Sequence, residues 1–149
     1  TRGLTLKKRA NGLEPGLYFE PLPPELTEFP AACAGRTPDL PAGAAVLTGY
    51  LNGTPVGAVA FDEGREAAEG CGWIPLLAVA EPWRRRGYGV QLIGQAVMHY
   101  RPLGRDRLRL PAPETEAAER FCREFGFSPA DDGRAWEKDI GYDPEFLVT

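Results

Sequence analysis

The chain has 149 residues, of which 43% are hydrophobic and 26% are charged, and its formal net charge is −4. This length and apolar content are typical of one globular domain with a packed core, and they exclude an intrinsically disordered chain. The acidic balance argues against a general nucleic-acid binder, and no apolar run approaches the roughly 20 residues of a membrane helix.

The N-terminal region contains Asn11-Gly12, a dipeptide that is typical of tight hairpin turns. We therefore expect a hairpin over residues 4–20. Residues 1–16 are expected to be a hairpin extension of a single domain over residues 1–149, or a link to a larger chain. A short helix is expected over residues 22–34, and Pro30 should end or kink it because proline lacks an N–H group.

Three strands are expected next along the chain, and the third of them is expected to be buried. Residues 45–51 and 55–61 flank Asn52-Gly53, which predicts a second hairpin. Residues 62–70 are expected to form an acidic loop. Residues 73–79 are nearly all apolar, which predicts a strand that is buried on both faces.

Helical and strand periods alternate in the C-terminal part of the sequence. They predict a helix over 90–100, a strand over 107–110, a helix over 114–125 and a strand over 134–140. The inner face of the second helix is expected to carry Ala117, Ala118, Phe121 and Phe125, with Gly126 as its C-cap. The order strand, helix, strand predicts a right-handed parallel crossover. The fold class is therefore mixed α/β (α+β), with a mixed central sheet and a βαβα C-terminal half.

The run Arg84-Arg85-Arg86-Gly87-Tyr88-Gly89 lies between the buried strand and the next helix. The first turn of a helix has backbone N–H groups without partners and carries partial positive charge. Glycines let an anion approach that backbone, and arginines add forked donors that suit phosphate. The run therefore predicts a cradle for a pyrophosphate, and the alternative is a basic loop that caps an ordinary helix.

Two common nucleotide motifs do not fit this loop. The Lys-Ser/Thr of a Walker A loop is absent, and Leu92 stands where a dinucleotide fingerprint needs its third glycine. What remains is Val-x-x-Pro from Val79 to Pro82, followed by Arg-x-x-Gly-x-Gly from Arg84 to Gly89. A second motif, Ala-x-x-Phe-Cys-x-x-Phe-Gly-Phe, runs from Ala118 to Phe127. With both motifs in this order, the sequence resembles the GNAT superfamily of acyl-CoA-dependent N-acetyltransferases over roughly residues 17 to 140.

The resemblance implies acetyl-CoA (coenzyme A) as the cofactor, with its pyrophosphate on the arginine and glycine loop. Family members hold the pantetheine arm through backbone groups of the preceding strand and often through an asparagine, which corresponds here to Thr115. The acceptor is expected over residues 22–45. The implied cofactor-binding residues are Leu77, Ala78, Val79, Arg84, Arg85, Arg86, Gly87, Tyr88, Gly89, Val90 and Thr115.

The resemblance also locates the acid–base positions, and both are altered in this chain. The glutamate base of many family members corresponds to Trp73, which does not titrate. The tyrosine that protonates the departing thiolate corresponds to Cys122, so Cys122 is the candidate catalytic acid, and the alternative is a small buried hydrophobe. The candidate bases are Glu66, Glu69 or a water chain.

Two classes of function follow from this pattern. The first is N-acetyl transfer from acetyl-CoA to a small-molecule or peptide amine. The second is a catalytically degenerate acyl-CoA-binding or regulatory module, fused to another domain in a larger protein. Three widely spaced cysteines and one histidine predict neither a disulfide framework nor a metal site. We expect a cytoplasmic protein without nucleic-acid or membrane partners.

Overall fold

A computed structural model describes residues 16–141 of the chain. This part contains seven strands and three α-helices. In chain order they are β1 (Leu17–Pro21), α1 (Phe29–Ala34), β2 (Ala45–Leu51), β3 (Thr54–Asp62), β4 (Cys71–Val79), α2 (Tyr88–Tyr100), β5 (Arg107–Pro111), α3 (Glu116–Glu124), β6 (Ser128–Ala130) and β7 (Ala135–Asp139).

The seven strands form one sheet in the order β1-β2-β3-β4-β5-β7-β6. Strands β4 and β5 are parallel, whereas the pairs β1–β2, β2–β3, β5–β7 and β6–β7 are antiparallel. The predicted mixed α/β (α+β) fold is confirmed, and so is the parallel pairing of the strands before and after α2. The hairpin between β2 and β3 is also confirmed, since Asn52 and Gly53 have φ of 51° and 89°, as two-residue turns require.

The N-terminal half differs from the prediction in two places. Most of the hairpin predicted over residues 4–20 lies outside the described residues, and only its return strand is seen, as β1. The helix predicted over residues 22–34 is instead a 3₁₀ turn at Pro24–Leu26 followed by α1. Pro30 lies in the first turn of α1, where a missing N–H costs no hydrogen bond, so it opens the helix rather than ending it.

Helix α3 is shorter than predicted because its caps fix both ends. The Oγ1 of Thr115 accepts a hydrogen bond from the N–H of Ala118 at 3.1 Å. At the other end, the N–H of Phe127 donates to the carbonyl of Cys122 at 2.8 Å, and Gly126 has a φ of 92° one residue past the cap. Ala117 was wrongly predicted to face inward, since it is exposed, and strand β6 was missed.

The described chain divides into two compact units, of which the first contains residues 16–61 and 75–94. One of its core clusters joins Leu17, Val56 and Tyr88. The absence of a side chain at Gly57 allows close packing, because a Cβ there would lie 3.1 Å from the Cδ1 of Leu92. The first turns of α2 are therefore held directly against β3.

The second unit contains residues 62–74 and 95–141. Within it, Cys71, Gly72 and Trp73 pair with β5 residues 107–109. The ring of Tyr100 occupies the space above Gly72, where a Cβ would lie 2.4 Å from the ring's Cγ. The hydroxyl of Tyr100 donates to the carbonyl of Trp73 at 2.6 Å. This contact fixes the end of α2 against the start of β4.

Candidate functional site

The loop between β4 and α2 has an unusual backbone. It starts with a 3₁₀ turn at Glu81–Trp83, and α2 begins at Tyr88, two residues earlier than predicted. Arg85 and Gly87 have φ of 65° and 86°. Glycine adopts such angles freely, whereas an arginine requires about 1–2 kcal/mol. A Cβ on Gly87 would meet no atom within 4 Å, so the backbone at Gly87 is open to close approach.

The first turn of α2 supplies hydrogen-bond donors beside this glycine. Gly89 and Val90 are the second and third residues of a 13-residue helix, so their N–H groups have no acceptor within the helix. The ring of Tyr88 is 5% exposed and packs in the core, so any contact of Tyr88 with an anion would use its backbone. This geometry fits an anion that carries several oxygens.

The backbone of β4 has two distinct edges near its end. The N–H of Ala80 donates to the carbonyl of Val56 at 2.8 Å, so Ala80 faces β3. Because successive residues of a strand direct their backbone groups to opposite edges, Ala78 also faces β3. Leu77 and Val79 direct their backbone groups the other way. Of the three predicted pantetheine contacts, Leu77 therefore has both backbone groups directed away from β3, whereas the carbonyl of Val79 accepts a hydrogen bond from Nε of Arg84.

The three arginines of the loop differ in their contacts. The Nε of Arg84 donates to the carbonyl of Val79 at 2.8 Å, and its Nη2 donates to the carbonyl of Cys33 at 3.1 Å. Arg85 and Arg86 are exposed, and the guanidinium of Arg86 lies 5.2 Å from the ring centroid of Trp83. The contact with Cys33 was not predicted, since nothing in the local sequence indicates a partner so distant in the chain. All three arginines are exposed, and Arg84 differs in that its guanidinium is bound to two backbone carbonyls.

Thr115 and Cys122 belong to the second unit. The side chain of Thr115 caps α3 and is exposed, so its hydroxyl can still donate a hydrogen bond. Cys122 is 5% exposed, and burial, followed by the charge of Glu119, raises the pKa of its thiol to about 11. The thiol is therefore neutral at pH 7. It is also a weaker acid than an ordinary thiol with a pKa of about 8.5, which favours the packing role.

In the predicted acid–base region of the second unit, Trp73 and Glu66 each contact an arginine side chain. Trp73 is 4% exposed, and the guanidinium of Arg65 lies 3.9 Å from its ring centroid. The carboxylate of Glu66 lies 3.2 Å from Nη1 of Arg109. The same Nη1 contacts Asp131, and Nε of Arg109 contacts Glu137. Glu69 is exposed. The alternation of Arg107 and Arg109 with leucines put both arginines on one face of β5, but it did not reveal their partners.

The described residues were also compared with the requirements of a membrane-spanning helix and of a metal site. Among residues 16–141, every helix is too short or too polar to cross a bilayer. Over that range, no three histidine, cysteine or acidic side chains are grouped so that they could hold a metal ion.

Solved structures with the same fold include three acetyl-transfer enzymes. N-acetylglutamate synthase from Neisseria gonorrhoeae, complexed with coenzyme A and L-arginine, matches with a TM-score of 0.67 and 20% identity, over 87% of this chain and 34% of that one. The ribosomal-protein-S18-alanine N-acetyltransferase from Escherichia coli matches with a TM-score of 0.63 and 16% identity, over 87% of this chain and 97% of that one. An IAA acetyltransferase from Bacillus cereus matches with a TM-score of 0.62 and 16% identity, over 83% of this chain and 99% of that one.

Sequence comparison identifies a family for the chain but no individual curated relative. No curated protein matches the chain at a significant level. The model of the acetyltransferase (GNAT) family matches residues 14–127, which include the loop, the first turn of α2 and the second motif up to Phe127. This match covers most of the sequence and both of its motifs, and the chain belongs to the GNAT acetyltransferase family.

Proposed function

We propose that this protein binds acetyl-CoA through the loop at residues 84–90 and transfers the acetyl group to an amine. The observation that carries the proposal is the left-handed Gly87 directly before the first turn of α2. A side chain at that position would fill the space through which a pyrophosphate would approach the N–H groups of Gly89 and Val90. The charges of Arg85 and Arg86 favour the same ligand.

The proposed reaction forms one bond, breaks another and requires two proton transfers. Bound acetyl-CoA supplies a thioester, and the amine nitrogen bonds to its carbonyl carbon as the carbon–sulfur bond breaks. The amine must first lose a proton, and the departing thiolate must gain one. Trp73 cannot accept a proton, and Glu66 is held by Arg109. We infer that positioning of the two substrates provides most of the acceleration and that water carries the protons.

The proposed acceptor is a small-molecule or peptide amine. The structural relatives include an enzyme named for an amino-acid product and one named for an alanine of a ribosomal protein. Their names support testing both kinds of amine. The altered positions at Trp73 and Cys122 also support a second candidate, an acyl-CoA-binding module without turnover.

Calorimetry and a transfer assay together test the proposed function. We expect titration with acetyl-CoA to show one site per chain, and a panel of amino acids, polyamines and peptide N-termini to yield at least one acetylated product. Binding without any product would support the module instead. Absence of heat at millimolar acetyl-CoA would overturn both candidates.

The exposed arginines should contribute long-range attraction. At about 6 Å in water, one charge pair is worth about 0.7 kcal/mol, so Arg85→Ala with Arg86→Ala should weaken CoA binding roughly tenfold at low salt. The difference from wild type should shrink near 1 M salt, where the Debye length is about 3 Å. Calorimetric titrations over a salt series measure both effects.

Arg120→Ala with Arg134→Ala is the matched control, since it removes the same net charge from exposed residues of the second unit. If both double variants show the same salt dependence as wild type, the loop charges do not steer the ligand.

Cys122→Ala should leave acetyl transfer within about threefold of wild type. Proton transfer from a thiol with a pKa of about 11 to an ordinary thiolate is uphill by roughly 3 kcal/mol. The expected effect is instead a loss of about 1 kcal/mol in unfolding free energy, because a buried side chain is shortened. Steady-state kinetics and denaturant unfolding measure the two. A 100-fold fall in kcat with unchanged stability would restore Cys122 as the catalytic acid.

A further inference from the structure

Arg84 connects three segments of the first unit. Its Nε donates to Val79 at the end of β4, and its Nη2 donates to Cys33 in α1, 51 residues away in sequence. Its own backbone N–H donates to the carbonyl of Glu81 at 3.2 Å, which closes the turn after β4. One side chain therefore fixes the start of the loop relative to both β4 and α1.

Helix α1 is held by tertiary packing, with Pro30 and Cys33 buried, and by the hydrogen bond from Arg84. It is six residues long, far below the length at which an isolated helix is stable in water, so its stability depends on tertiary contacts. Phe29 and Ala34 pack against a cluster formed by Ala58, Ala60 and Leu76. The carbonyl of Cys33 lies in the last turn, where carbonyls lack partners within the helix, and Arg84 satisfies it with a charged donor.

We propose that Arg84 is a positioning residue that couples α1 to the cofactor loop. This inference rests on the proposed function, because the coupling becomes useful when a ligand occupies the loop. A pyrophosphate that fixes the backbone at residues 85–90 also fixes the position of Arg84. The contact of Arg84 with Cys33 then stabilises α1, which lies in the segment expected to contact the acceptor. Cofactor binding would thus order the acceptor side before the amine arrives.

Hydrogen exchange at two amides of α1 measures this coupling. The N–H of Ala32 bonds to the carbonyl of Glu28 at 3.1 Å, and that of Gly35 bonds to Ala31 at 2.9 Å. In wild type, saturating CoA should slow exchange at both amides roughly tenfold. In Arg84→Ala, exchange in the free protein should be roughly tenfold faster, and the response to saturating CoA should be lost.

Arg86→Ala is the matched control, because it removes an arginine of the same loop that lies over Trp83 rather than on α1. It should bind CoA more weakly but keep the full exchange response at saturation. Arg84→Lys keeps the charge, but one ammonium cannot replace a guanidinium that spans two carbonyls, so the response should again be lost. This variant also provides the test if Arg84→Ala does not fold.

The failures of the two proposals are distinguishable. If wild type does not bind CoA, the proposed function fails, while the exchange rates of the free protein still report whether Arg84 holds α1. If CoA binds and α1 exchanges equally in wild type, Arg84→Ala and Arg84→Lys, the positioning role is overturned and the proposed function stands.

Discussion

Replacing Gly87 with alanine should lower the affinity for CoA by more than about tenfold, or 1.4 kcal/mol. Gly87 has a φ of 86°, and an added Cβ would occupy the open space directly before α2. The substitution combines backbone strain of about 1–2 kcal/mol with a steric block to the phosphate. Calorimetric titration of CoA measures the affinity, and thermal unfolding measures the strain.

Gly104→Ala separates strain from obstruction. Gly104 has a φ of 81°, and a Cβ there would also meet no atom within 4 Å. It follows a 3₁₀ turn outside the proposed cofactor loop. Both alanine variants should therefore lose similar stability, but only Gly87→Ala should lose affinity. If Gly87→Ala binds CoA as tightly as Gly104→Ala does, the pyrophosphate does not approach through Gly87.

Gly72→Ala should destabilise the fold by roughly 2–4 kcal/mol. The added methyl would lie 2.4 to 2.8 Å from three ring atoms of Tyr100, whose side chain is fully buried. Moving the ring would also strain the hydrogen bond from its hydroxyl to Trp73. Denaturant unfolding measures the loss in the free energy of unfolding, provided that the dependence of that free energy on denaturant concentration is the same in both proteins.

Gly94→Ala provides the opposite control within α2. A Cβ there would meet no atom within 4 Å, so it adds helix propensity without a clash. We expect a gain of up to about 1 kcal/mol. A Gly72→Ala variant with wild-type stability would show that Tyr100 can move aside at no cost.

The features that could be predicted from sequence are those with short-range causes. Asn52-Gly53 specifies a tight turn through the backbone freedom of its two residues, and the apolar run of β4 specifies a buried strand. The loop from Arg84 to Gly89 was recognisable because glycine, charge and a helix start follow one another directly. The residues alone predicted a pyrophosphate site without identifying the molecule that carries the pyrophosphate. The family resemblance then implied that this molecule is acetyl-CoA.

The features that could not be predicted depend on partners that are distant in sequence. Arg84 was expected to contact phosphate, yet its bond to Cys33 joins residues 51 positions apart. The grouping of Glu66, Asp131 and Glu137 around Arg109 likewise needs the tertiary fold. Pro30 was misjudged for a different reason. Its effect depends on whether it lies in the first turn of a helix or later, and no local signal fixed where α1 begins.

The burial of the thiols has a practical consequence for measuring turnover. All three cysteines are buried, and burial raises the pKa of Cys33 and Cys122 to about 11. At pH 8 such a thiol is only about 0.1% ionised, whereas an exposed cysteine thiol of ordinary pKa is about a quarter ionised. A coloured disulfide reagent should therefore react slowly with the buried thiols of the native protein, whereas the thiol of released CoA is fully accessible to it. The proposed acetyl transfer can therefore be tested by a continuous thiol assay without first replacing any cysteine.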